Sequence, residues 1–436
     1  MRSISPKIWI PAIVLVLIGV VFFHNRPVEL QKAMLMSTPL LFRDGQARPY
    51  DRLPDDITPP EVDVFFATDR QPSNTHILYP LFYGNRRNMS LSLGRAGVRF
   101  GDEDMTWPEV ERASFKKDRS LKVPLQIARI EELSTLGSAS VLLEDAVRAP
   151  DITNDKFIAA VQQRLRQSQT KDIYLFVPGF KVDFAYPVLV AAELWHYMGY
   201  PGAFIAYSWP SRQRLRDYLV DVETTTFTAQ HFRMLLIYLA LNTDARRIHI
   251  LCYSAGARIV SQALYELRLM GFGYPVDQLK NKLKIGQVMF TAPDIDLMLF
   301  AARYRDRFED IADSITIYTN ANDTALNWAL RFLGWPRLGA PGELGISPEE
   351  LQSLNFMNNT VLIDVAAAEN ADSGNGHGYF IKSPWVSTDL ILALTTGAPP
   401  TKRGLVRKKE DAIWEFSEHY PQKIGEIIKA GVLKPQ

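Results

Sequence analysis

The run Cys252, Tyr253, Ser254, Ala255, Gly256 carries the clearest chemical potential in the chain. It follows an apolar β-type run at 248–252 and opens a helical pattern, A-R-I-V-S-Q-A-L-Y-E-L. A serine on a sharp strand-to-helix turn presents its hydroxyl at the apex, toward the free N–H groups of the helix N-terminus. Such a turn needs small residues two before and two after the serine, so that helix and strand can pass closely. Gly256 meets the second demand, and Cys252 stands where a glycine is usual but is itself small. Ser254 therefore reads as a nucleophile; the plainer reading is a turn that only starts a helix. Cys252, the single cysteine, reads as a packing thiol.

An activated serine requires a base and a group to orient that base. In a strand–helix alternation of this kind the chain order is serine, acid, histidine. Of the seven histidines, only His377 and His419 follow Ser254. His377 lies in S-G-N-G-H-G-Y-F, a glycine-rich loop after a β-type run at 360–365. His419 lies in the charged stretch I-W-E-F-S-E-H-Y, which reads as a solvated helix. His377 is the favoured base. Asp323 follows the run at 315–318, while Asp294 and Asp296 follow the run at 285–290. All three belong to carboxyl ends of strands, where α/β sheets carry their sites. Asp323 is one strand nearer the histidine loop and takes the orienting role, with a helix N-cap as its plainer role. Asp294 and Asp296 are then caps or residues of the substrate rim.

A developing oxyanion needs two N–H donors. Ala255, after the nucleophile, supplies one. The loop V-P-G-F after the run at 173–177 supplies the other: Pro178 has no N–H, Gly179 allows close approach, and Phe180 is the expected donor. Gly179, Tyr253 and Trp209 join Asp294 and Asp296 as candidates for the substrate rim.

The elements that would position these residues alternate regularly. Helical patterns at 154–167 (Thr153 as N-cap), 187–199, 221–242 and 256–270 separate β-type runs at 173–177, 203–208, 248–252, 285–290, 315–318 and 360–365. Short apolar runs between helices predict a mostly parallel sheet covered on both faces. Ahead of them, 62–67, 89–100 and 125–132 predict an antiparallel start, with Gly94 and Gly97 as turn residues. An irregular cap is expected at 326–357. The boundaries expected are a stalk at 27–60, an α/β domain at 61–400 and a helical tail at 401–436.

Residues 8–23 form sixteen apolar positions without a charge, flanked by Lys7 and Arg26. As a helix of ~1.5 Å per residue they reach about 24 Å, near a hydrocarbon core of ~30 Å. No small-residue cleavage pattern follows. Residues 1–26 therefore read as an uncleaved signal anchor, a single transmembrane helix, over a buried core helix or a cleaved signal; the positive charges on its two sides are nearly tied, and the body is expected on the extracytoplasmic side. The composition bounds the rest. With 47% apolar residues the 436-residue chain is not disordered, and 49 basic against 48 acidic residues argues against nucleic acid as partner. No P-loop, H-E-x-x-H or dinucleotide fingerprint is present, so no cofactor or metal is expected.

Together these motifs resemble an uncharacterised bacterial branch of the α/β-hydrolase superfamily, whose serine-esterase-like members are often tethered to the envelope. The resemblance spans roughly 34–400. Its marks are M-S-T-P-L-L-F-R-D-G (36–45), F-F-A-T-D-R (65–70), Y-G-N-R-R-N (83–88), L-G-R-A-G-V-R-F-G (93–101), V-P-G-F (177–180), Y-S-W-P-S (207–211), C-Y-S-A-G, A-P-D-I-D (292–296), Y-T-N-A-N-D (318–323) and G-H-G-Y-F (376–380). It implies an α/β-hydrolase fold with Ser254 as nucleophile, Asp323 as acid and His377 as base. Two departures flank the expected oxyanion hole: Pro178 and Tyr253 stand where the branch usually has histidine. The expected activity is hydrolysis of a small-molecule or lipid carboxylic ester, with amide or thioester hydrolysis by the same residues a variant of it. The alternative from a different class is a non-catalytic envelope binding or scaffold protein on the same fold.

Overall fold

The computed structural model describes residues 33–45, 47–50, 53–54, 56–73, 82–117, 122–137, 155–341, 359–408 and 413–431. The chain divides into two units, Met1–Gln31 and Lys32–Gln436. The first unit, with the apolar run 8–23, lies outside the described residues, as do Thr153 and residues 342–357 of the expected cap. Among the described residues no helix is long and apolar enough to cross a membrane.

In chain order the strands are β1 Ala33–Met34, β2 Glu61–Ser73, β3 Phe82–Phe100, β4 Pro124–Leu136, β5 Asp172–Val177, β6 Ala203–Tyr207, β7 Arg247–Tyr253, β8 Ile285–Thr291, β9 Ala312–Thr319, β10 Thr360–Asp364, β11 Val406–Arg407 and β12 Ile413–Glu415. The helices are α1 Trp107–Phe115, α2 Lys156–Gln167, α3 Ala185–Met198, α4 Tyr218–Asn242, α5 Gly256–Met270, α6 Val276–Leu283, α7 Leu297–Arg305, α8 Thr324–Leu333, α9 Tyr379–Lys382, α10 Pro384–Thr396 and α11 Tyr420–Lys429. All the strands join one mixed sheet in the order β1-β4-β3-β2-β6-β5-β7-β8-β9-β10-β12-β11.

The middle of the sheet, β6 through β10, is parallel, and β5 shows why. Every residue of D-I-Y-L-F-V is buried, as expected of a strand with helices on both sides. Ile173, Leu175 and Val177 face one core with Phe157 and Val161 of α2, Phe232 and Leu236 of α4, and Ile259 of α5. The intervening Phe176 turns to the opposite face and stacks on Phe380 at 6.0 Å. That opposite face is covered by α3, against which α10 packs.

The amino-terminal side is antiparallel. β2 pairs β3 from Glu61↔Arg99 to Ser73↔Phe82, β3 pairs β4, and β2 then runs parallel to β6 with Phe65 opposite Ile205. Gly94 and Gly97 do not turn the chain. Both sit inside the continuous strand β3, beside irregularities in its register with β4. A Cβ on Gly94 would lie 2.2 Å from the Glu131 carbonyl oxygen and 2.5 Å from the Phe66 ring, so the residue is small because its neighbours crowd it. The cap region also differs from expectation, since its first part is the regular helix α8 followed by a strap at 334–340. In the tail, β11 and β12 extend the sheet edge, and a helix begins only at Tyr420. Helix α2 takes Asp155 as its cap: the carboxylate accepts from Phe157 N at 3.0 Å and Ile158 N at 3.2 Å.

Candidate active site

The turn between β7 and α5 places Ser254 at φ 52°, in the left-handed region that costs a non-glycine residue roughly 1–2 kcal/mol. Backbone hydrogen bonds hold it there. Ser254 N donates to the Thr291 carbonyl at 3.0 Å, and the Ser254 carbonyl accepts from Asp294 N and Ala257 N at 3.0 Å each. Gly256 is required by close approach: a Cβ there would lie 2.5 Å from the Val177 carbonyl oxygen and 2.7 Å from that of Pro178. Cys252, on the strand side, is fully buried, with its Sγ 3.4 Å from the Met289 carbonyl; burial pushes its thiol pKa up.

Three side chains from three loops converge at this turn. His377 Nε2 is 2.8 Å from Ser254 Oγ, and His377 Nδ1 is 2.6 Å from Asp323 Oδ2. With the ring proton on Nδ1 facing the carboxylate, Nε2 is left to accept from the serine hydroxyl. All three are buried. Asp323 makes two contacts: Oδ2 meets the imidazole, while Oδ1 accepts from Leu326 N at 3.0 Å and caps α8. His419 is remote in kind: its side chain is 70% exposed and lies 3.5 Å from its neighbour Glu418.

The histidine loop is fixed by residues that a search for an acid passes over. Asn320 Nδ2 donates to the Gly376 carbonyl at 3.0 Å and to Asp372 at 3.2 Å, and Asn375 Oδ1 accepts from His377 N at 3.3 Å. Tyr379 accepts from Ala292 N at 2.6 Å and donates to the Tyr318 carbonyl at 2.7 Å, joining the histidine loop to two strand ends. The asparagines were visible in Y-T-N-A-N-D, where the Asn320 carboxamide also accepts from Asn322 N at 3.0 Å, an Asx turn. Tyr253 is half-buried, with its ring 5.0 Å from that of His377.

Opposite the histidine, Gly179 lies against the serine, where a Cβ would be 2.9 Å from Ser254 Cβ. Among the described residues, neither Phe180 N–H nor Ala255 N–H has a protein acceptor. The loop carrying Phe180 is pinned twice. Trp209 Nε1 donates to the Pro178 carbonyl at 2.9 Å, and Lys181 N donates to Ser211 Oγ at 2.7 Å. Ser211 in turn donates to Asp221 Oδ2 at 3.0 Å. Burial lifts the Asp221 carboxyl to about 6, against the pull of the Arg212 N–H, the Ser211 hydroxyl and Arg70. Trp209 is fully buried and supports this loop from behind, so it does not line a substrate rim.

Asp294 is not a rim residue either. It is buried 2.9 Å from Arg337 Nε and 3.6 Å from Arg258 Nη2, and it accepts from the Tyr218 hydroxyl at 2.6 Å. Burial alone would raise its pKa; the two guanidinium groups and the tyrosine outweigh burial and hold it below the usual carboxylate range. The Tyr218 ring meets Phe180 edge-on at 5.1 Å, which ties this buried cluster to the expected oxyanion loop. Asp296 caps α7, accepting from Leu299 N at 2.9 Å. Among the described residues no group of three or more His, Cys, Asp or Glu side chains is arranged to hold a metal ion.

This geometry can be set beside known proteins. A family model described as an alpha/beta hydrolase of unknown function, DUF900, matches residues 153–393, more than half of the chain. No curated protein sequence matches. Among solved structures, a chain described as a cell surface hydrolase from Lactobacillus plantarum WCFS1 is 11% identical, with 54% of this chain and 95% of that one covered, at a TM-score of 0.29. A bifunctional GH43-CE protein from Bacteroides eggerthii is 8% identical, with 75% of this chain and 54% of that one covered, at a TM-score of 0.30.

Proposed function

The chain belongs to the DUF900 family of alpha/beta hydrolases of unknown function, and from that premise we propose that it is a serine hydrolase acting on carboxylic esters. The observation that carries the reading is the unbroken line Asp323 Oδ2, His377 Nδ1, His377 Nε2, Ser254 Oγ, with separations of 2.6 and 2.8 Å. In this reading His377 takes the serine proton as Ser254 Oγ attacks the ester carbonyl. The Oγ–C bond forms, the carbonyl π electrons move to oxygen, and Phe180 N–H and Ala255 N–H hold that oxyanion. The tetrahedral centre collapses, the alcohol leaves with the proton from His377, and Ser254 remains acylated. Water, deprotonated by His377, then attacks the acyl carbon and releases the acid and the free serine. Asp323 keeps the imidazole in the tautomer that can accept at Nε2 and stabilises the imidazolium.

We also propose that residues 8–23 tether the protein to a membrane with the body on the extracytoplasmic side. The support is the sixteen-residue apolar run between Lys7 and Arg26.

A fluorophosphonate probe, which is captured only by an activated serine, tests the catalytic reading. Wild type should be labelled, Ser254→Ala should not, His377→Ala should lose nearly all labelling, and His419→Ala should match wild type. An unlabelled, well-folded wild type sinks the hydrolase reading and favours the binding-protein alternative. Retention in the membrane fraction after alkaline extraction, lost on deleting residues 1–26, tests the tether.

A further inference from the structure

We propose that helices α7 and α8 and the strap that follows α8 form a docking face for an anionic phospholipid surface, so that the substrate is a lipid ester taken from that surface. The second half of this statement rests on the serine-hydrolase reading; the first half does not.

Five large apolar side chains on these elements stand in solvent: Met298 and Leu299 on α7, Trp328 and Phe332 on α8, and Trp335 on the strap. Their exposures run from 43% to 60%. A soluble surface rarely gathers so much apolar area in one place without using it. They belong to one assembly. Trp328 and Phe332 stack at 5.3 Å with planes 7° apart. Leu297 N donates to the Pro336 carbonyl at 3.0 Å, which sets Trp335 beside the start of α7. Leu338 N donates to the Ile295 carbonyl and Gly339 N to that of Pro293, each at 3.0 Å, so the strap lies along the loop between β8 and α7.

Charge selects the occupant. The segments 297–305 and 324–340 contain Arg303, Arg305, Arg331 and Arg337; the acids that flank them are the helix caps Asp296 and Asp323, and Asp306 at the far end of α7. Arg305 and Arg331 are exposed, whereas Arg337 is buried against Asp294. Two tryptophans and a phenylalanine, with the exposed Arg331 on the same helix as two of them, match a headgroup layer: the rings suit the interface, and the guanidinium group suits anionic lipid. The sequence carries a second membrane signal in residues 8–23.

Position supplies the function. Helix α8 is capped by Asp323, which meets His377, and the strap's Arg337 pairs with Asp294, whose N–H bonds the Ser254 carbonyl. The exposed face is thus built on the same loops as the candidate triad. A bilayer docked there rests on the elements that hold Asp323 and brace the Ser254 turn.

The lone buried cysteine makes the test clean, because a cysteine introduced at the surface is then the accessible thiol. The full chain carrying Phe332→Cys, labelled with a nitroxide, is mixed with phosphatidylcholine vesicles with and without phosphatidylglycerol. Trp335→Cys serves as a second site, and Thr395→Cys at the opposite end of the sheet as a reference. Labels at 332 and 335 should become accessible to oxygen and protected from an aqueous nickel relaxant when phosphatidylglycerol is present, while the label at 395 stays in water. Labels at 332 and 335 that remain in water overturn the proposal, as does protection that follows protein concentration in the absence of vesicles, which would mean self-association. The substrate half is read with Trp328→Ser/Phe332→Ser/Trp335→Ser. Turnover of a vesicle-borne ester should fall roughly tenfold or more, as loss of three interfacial anchors implies, while a short water-soluble ester is hydrolysed at the wild-type rate. Equal losses on both esters overturn it. A wild type inactive on every ester refutes the hydrolase reading and the substrate half, and leaves the spin labels to decide the docking face.

Discussion

Asp323 divides its carboxylate between His377 and its own helix, with one oxygen 2.6 Å from the imidazole Nδ1 and the other accepting from the first turn of α8. The helix that the carboxylate starts therefore also aims it. Charge and cap can be separated by substitution. Asp323→Asn keeps an amide oxygen able to cap α8 but presents no charge to the imidazole, so ester turnover should fall about 10⁴-fold with little change in thermal stability. Asp323→Ala should lose the same activity and a further ~1 kcal/mol of stability. Equal stability for the two variants would show that the cap contributes nothing.

The two glycines around the serine should fail differently. Gly256→Ala drives a methyl group into two backbone carbonyl oxygens, at 2.5 and 2.7 Å, where nothing can rotate away. Helix α5 must shift, and a loss of about 3 kcal/mol is expected in urea unfolding, along with activity. Gly179→Ala meets a side chain instead, Ser254 Cβ at 2.9 Å. It should cost less stability, about 1 kcal/mol, and displace the hydroxyl enough to lower turnover by roughly 10²-fold. A Gly179→Ala enzyme with normal turnover would place the reacting centre elsewhere.

The loop that holds Phe180 has a titration of its own. Asp221, with a carboxyl raised to about 6 mainly by burial, binds its proton more tightly in the folded state than in the unfolded chain. Its contribution to stability therefore falls as pH rises from about 4 to about 6 and is level above. Asp221→Asn cannot ionise, so its stability relative to wild type should climb across that window and then stay constant. Paired thermal melts at several pH values read the difference. A flat difference between pH 4 and 7 removes Asp221 as the titrating group.

The convergence of Ser254, Asp323 and His377 was more legible than the architecture around it. Ser254 and His377 stood out because a sharp strand-to-helix turn has a strong local signature and because only two histidines follow it in the chain. Separating Asp323 from Asp294 needed only the count of strands. What Asp294 does was not legible, because its partners Tyr218, Arg258 and Arg337 are distant in sequence and meet only when the strap folds back. Trp209 misled for a related reason: a tryptophan after a strand suits a pocket wall or a buried prop equally well, and the deciding contact is with the Pro178 carbonyl. Gly94 and Gly97 were read as turns by residue type, whereas both lie within a strand; crowding by the Glu131 carbonyl and the Phe66 ring explains the first, and Gly97 meets only the flexible side chains of Glu61 and Arg129. The break between strand β12 and helix α11 was hidden because I-W-E-F-S-E-H-Y fits either period over so short a span.

Strand β2 is the seam of the sheet, antiparallel to β3 on one side and parallel to β6 on the other. That arrangement sets a timetable for biosynthesis. The β2–β4 ribbon is complete when residue 136 has left the ribosome, but the strand that closes its other edge begins at Ala203. At roughly 5–20 residues per second, the nascent chain carries that open edge, with Phe65 and Ala67 facing a core not yet made, for on the order of ten seconds. For that interval the ribbon is a template for foreign strands. The stretch Phe65–Ala67 thus waits for β6 before its second edge is paired.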